Sequence, residues 1–67
     1  MSPETLAYRE RVVALLRKTA SDHRDVANDY TTRGHRDEAR TRLKIAEALG
    51  GFANRIERGE ADVTTEV

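Results

Sequence analysis

Apolar residues recur through the first half of the chain at the three- and four-residue steps of an α-helix: Leu6, Val13, Leu16, Ala20, Val26, Ala27 and Tyr30, with Val12 and Leu15 widening the stripe. Neither Gly nor a second Pro interrupts the run from Pro3 to Thr32, so the pattern predicts one helix over about 3–32. Its start is well marked. Ser2 can cap, Pro3 suits the first helical position, and Glu4 complements the positive end of the helix. Thirty residues would span about 45 Å, although Ala20, Ser21, Asp22 and His23 leave the middle with little to bury.

Gly34 is a natural terminator, because a residue without Cβ takes the left-handed conformation without a clash. A second helix is expected from about 36 to 58, with Asp37 and Glu38 in its first turn. Its stripe is Ala39, Leu43, Ala46, Leu49, Ala53 and Ile56, with Ile45 and Phe52 alongside. The stripe keeps phase across Gly50-Gly51, which argues for a helix that bends there and continues to Gly59. Residues 60–67 lack helical periodicity and read as a loose tail.

The pattern gives an all-α chain, a long antiparallel helical hairpin forming one domain over 1–59. Leu, Ile, Val and Phe make up only 13 of 67 residues, a thin core for a chain this short. Two amphipathic helices cover one side of each other, so a four-helix bundle built as a homodimer is the expected architecture. The positions expected at the packing or dimer seam are Leu6, Val13, Leu16, Val26, Tyr30, Leu43, Leu49, Phe52 and Ile56.

Around the turn, Val26, Ala27 and Tyr30 precede Gly34, and Ala39, Leu43 and Ala46 follow it. This segment, from about Ala20 to Ala53, resembles a single tetratricopeptide-type helical hairpin and covers about half the chain. It departs from that repeat at His23, which stands at the early Trp position, and at Gly51, which replaces the closing Pro. Only one repeat is present. The resemblance implies close helix approach through the alanines and a protein-binding role rather than catalysis.

Composition narrows the function. Twelve basic residues balance twelve acidic ones, which argues against a general polyanion binder. Cysteine is absent, excluding disulfides and thiolate metal sites. No apolar run is long enough to span a membrane and the N-terminus lacks a signal-type apolar stretch, so a cytoplasmic protein is expected. His23 has Thr19, Ala20, Val26 and Ala27 at the helical offsets where a metal site would need carboxylates, and is expected at the helix seam or in solvent. His35 falls in the turn. No serine sits in a nucleophile elbow, and Gly50-Gly51 lacks the context of a phosphate loop. Neither an enzyme nor a cofactor is expected.

The best polar feature is a basic row on the second helix: Arg36, Arg40 and Lys44 at four-residue steps, with Arg33 and Arg42 beside it. Such a row is either a solvated face laced by pairs such as Glu38 with Arg42, or a surface matching an acidic partner. The leading expectation is a small non-enzymatic interaction module, an adaptor, assembly factor or inhibitor. It would use another protein or a second copy as its partner, with Arg33, Arg36, Arg40 and Lys44 as candidate binding residues. The alternative is a small nucleic-acid-associated regulator working through the same row. A helix-turn-helix reader is disfavoured, because no third helix supports the pair. Thr65-Glu66-Val67 also matches the short C-terminal peptides that add a strand to a PDZ-type sheet edge.

Overall fold

The computed structural model describes residues 2–61. They form two antiparallel helices, α1 (Pro3–Thr32) and α2 (Arg36–Glu57). α1 begins at Ser2, whose backbone is extended and whose side-chain oxygen accepts from the Thr5 N–H at 3.2 Å. The helix then runs unbroken through its weak middle.

Both helices end in the same way. At the end of α1 the Gly34 N–H donates to the Thr31 carbonyl and the His35 N–H to the Tyr30 carbonyl, at 3.0 and 2.8 Å. At the end of α2 the Gly59 N–H donates to Ile56 and the Glu60 N–H to Arg55, at 3.1 and 2.9 Å. This paired closure satisfies two orphan carbonyls and requires a left-handed residue, supplied by Gly34 (φ 83°) and Gly59 (φ 78°). α2 is helical through Gly50 and Gly51. Residues 62–67, which include most of the expected tail and the Thr65-Glu66-Val67 motif, lie outside the described residues.

The seam between the helices is built from small side chains. On α1 the buried residues are Val13, Ala20 and Ala27; on α2 they are Ala39, Ala46, Ala53 and Ile56. Each alanine set is spaced by seven, two turns of helix, so it holds one line along the contact. Methyl groups between the helices let the backbones approach closely. That closeness leaves room for larger side chains only toward the open end, where Val13, Ala53 and Ile56 form a buried cluster backed by Val12, Leu16 and Ala61.

The large residues expected at the seam are therefore distributed differently. Val13 and Ile56 are buried between the helices, Leu16, Tyr30 and Leu49 are half-buried, and Leu6, Val26, Leu43 and Phe52 are exposed in the single hairpin. The physical reason is steric. A line of alanines cannot alternate with leucines at the same contact, so Val26, Leu43 and Phe52 splay to its flanks, while Leu6 lies in line with Val13 where α2 ends and nothing among the described residues covers it.

The close approach is testable. Ala46 is fully buried, so Ala46→Leu must push the helices apart. The expected cost is about 1–3 kcal/mol, read as a fall in the thermal melting midpoint. An unchanged midpoint would contradict the tight seam.

Candidate protein interface

The flanks of the seam differ in chemistry. On one, α1 presents Glu10, Arg17 and Arg24, and α2 presents Glu47, Asn54 and Glu57. Arg17 grips Glu57 with both guanidinium nitrogens, at 2.7 and 2.6 Å, and donates to Asn54 Oδ1 at 3.3 Å. Arg9 donates to the Ile56 carbonyl nearby. These bonds tie the open end of the hairpin from its polar side.

The Arg17 hydrogen bonds, with a smaller charge contribution, hold the Glu57 carboxyl below its ordinary range, and the same pairing raises the Arg17 guanidinium. Because Glu57 is depressed in the folded state, its stabilisation is present above the unfolded carboxyl range and is lost as pH falls through the folded value.

The opposite flank is apolar. Val12, Leu16, Thr19 and Val26 follow one another on α1 at helical steps, and Ile45, Leu49 and Phe52 do the same on α2. Val26, Ile45 and Phe52 are each 38% exposed, and Leu15 at the margin is 64% exposed. Arg55 lies over the Phe52 ring, 5.6 Å from its centre, so its cation covers one edge of the patch. At the turn end the Tyr30 ring meets His35 edge-on at 6.2 Å.

One polar link crosses this apolar flank. Arg42 Nη1 lies 3.1 Å from His23 Nδ1. A guanidinium only donates, so Nδ1 accepts in this pair. The expected Glu38–Arg42 pair is absent among the described residues, since Arg42 turns inward to His23 instead of along its own helix. His23 thus sits at the helix seam, joining α1 to α2. Among the described residues no group of three or more metal-ligating side chains gathers.

The basic row faces outward. Arg33 is paired with Asp29 at 3.2 Å, whereas Arg36, Arg40 and Lys44 are exposed and make no ion pair among the described residues. Leu43 is exposed on the polar side, and Leu6, seven residues before Val13, is exposed on the seam line where α2 ends. No helix among the described residues is long and apolar enough to cross a membrane.

Part of this arrangement had a readable signal. The seven-residue alanine spacing marks the seam, and once the seam is placed, helical geometry assigns Val26, Ile45 and Phe52 to one flank. The Arg42–His23 link had no signal in spacing, because it joins residues nineteen apart across the turn.

Removing the Glu57 charge should flatten part of the acid dependence of folding. In Glu57→Gln, melting midpoints are expected to fall less than in the parent between neutral pH and about pH 3. Parallel curves would show that the ion pair adds nothing pH-dependent.

Comparison with protein-family models, with curated proteins and with solved structures finds no match to this chain.

Proposed function

We propose that this chain is a small non-enzymatic protein–protein interaction module whose apolar flank is the binding surface, and that the flank is covered by a second copy in a four-helix bundle. The observation that supports this reading most is the row of large apolar side chains left exposed along one flank of the hairpin.

Val26, Ile45 and Phe52, each 38% exposed, share one flank with the half-buried Leu16 and Leu49. The radius of gyration is 14.6 Å, against about 11 Å for a compact chain of this length. A rod of 48 × 21 × 17 Å is the shape of half a bundle.

The chemistry agrees. The unpaired surface carries Val, Ile, Leu and Phe side chains, each able to contribute about 1.5–3 kcal/mol on full burial. Among the described residues the single hairpin buries only Val13 and Ile56 as large side chains. The tetratricopeptide-like hairpin pattern carries the same implication of protein binding. In this reading the module docks on a larger protein through what the bundle leaves outside, and it works in the cytoplasm.

A second reading, a regulator that binds nucleic acid, is favoured by one observation: Arg36, Arg40 and Lys44 have no ion-pair partner among the described residues. Reversing all three charges should abolish any nucleic-acid binding together with its salt dependence. Binding that survives the triple change would exclude the row.

Light scattering across a dilution series is expected to give twice the chain mass, and Phe52→Glu to give a helical monomer. A parent chain that is monomeric at high concentration would overturn the self-paired bundle.

A further inference from the structure

We propose that the second copy lies on the apolar flank with its turn at the opposite end, about a two-fold axis passing beside Thr19 and Leu49. The proposal rests on the self-paired reading above and fixes its geometry.

Two identical hairpins can stack face to face about a two-fold axis in two ways. If the axis runs along the helices, both turns lie at one end and α1 of one copy covers α2 of the other. If the axis runs across them, the turns lie at opposite ends and each helix covers its own counterpart. Every neighbouring pair of helices is antiparallel in both, so backbone dipoles do not choose between them.

Charge does choose. The half-buried Arg42 guanidinium sits on this flank, held by His23 at 3.1 Å, and no carboxylate among the described residues lies within ion-pair distance of either residue. With both turns at one end, the two Arg42 side chains would meet at the same level beside the axis. Like charges would then face each other while losing water. With the turns apart, each Arg42 lies seven residues from Leu49, about 10 Å from the axis. The two Arg42 guanidiniums are then about 20 Å apart, and each comes level with the partner's Arg55, whose cation lies over Phe52 at the edge of the patch and not beside the axis.

The apolar residues are also arranged symmetrically about the proposed axis. Val12 and Val26 each stand seven residues from Thr19. Rotation across the helices therefore sets Val12 against the partner's Val26, twice. On α2, Ile45 and Phe52 flank Leu49 by four and three residues, so Ile45 meets the partner's Phe52. Thr19, smaller than its apolar neighbours, lies where α1 crosses its own copy. This interface repeats each contact twice, as a closed two-fold pair must.

The chain has no cysteine, so introduced thiols report only on the interface. Thr19→Cys and Leu49→Cys would each be oxidised alone, and then as an equimolar mixture, with Arg40→Cys on the outward face as control. Mass and helix content of each variant would be checked under reducing conditions. The expected result is that each single variant converts for the greater part to a disulfide-linked pair, while Arg40→Cys does not. Cross-linking in the mixture only, joining Thr19→Cys to Leu49→Cys, would overturn this orientation and leave the self-paired bundle standing. A pair by mass that cross-links in none of these combinations would also overturn it. Variants and parent that are all monomeric would overturn the bundle itself.

Discussion

The architecture depends on how closely the two helices approach along a line of alanines. Ala20 and Ala27 on α1 face Ala39, Ala46 and Ala53 on α2, all five essentially withdrawn from solvent. A methyl group at the contact brings backbones together but buries little apolar area. Ordering a residue costs on the order of 1–2 kcal/mol of backbone entropy, which alanines offset only weakly. The same closeness bars larger side chains from the seam. Val26, Ile45, Leu49 and Phe52 are displaced to one flank, where a partner can use them.

This division of labour accounts for the charge pattern. The polar flank closes on itself, with Arg17 holding Glu57 and Asn54 across the open end. The apolar flank carries one polar link, Arg42 to His23, which satisfies the ring nitrogen but leaves the cation without a counter-charge among the described residues. A half-buried charge on an apolar surface restricts which arrangements of a partner are tolerable, because desolvating it beside a like charge is costly. Stability and specificity thus come from different parts of one surface.

The sequence conveyed the helices better than it conveyed their packing. Helix ends were legible because their signals are local: Ser2 before Pro3, then glycines able to take positive φ at Gly34 and Gly59. The continuity of α2 was legible in the unbroken phase of its apolar stripe across Gly50-Gly51. The alanine line was visible as well, through its spacing. What could not be read was which residues that line excludes. Leu43 and Phe52 have similar hydrophobicity and lie on either side of the seam, yet Leu43 falls among polar neighbours and Phe52 joins the apolar flank. That difference depends on the rotation of one helix against the other, a property of the pair. The inward turn of Arg42, away from Glu38, has the same origin.

The central claim is that the apolar flank, open in one hairpin, is shielded in solution. Paramagnetic relaxation by an inert soluble probe tests this side chain by side chain. The methyl signals of Val26, Ile45 and Leu49 and the ring signals of Phe52 are predicted to be protected nearly as well as Ile56, while Leu43 and Leu6 broaden. Broadening of Val26 and Phe52 to the same degree as Leu43 would show a flank left bare, and would contradict the account.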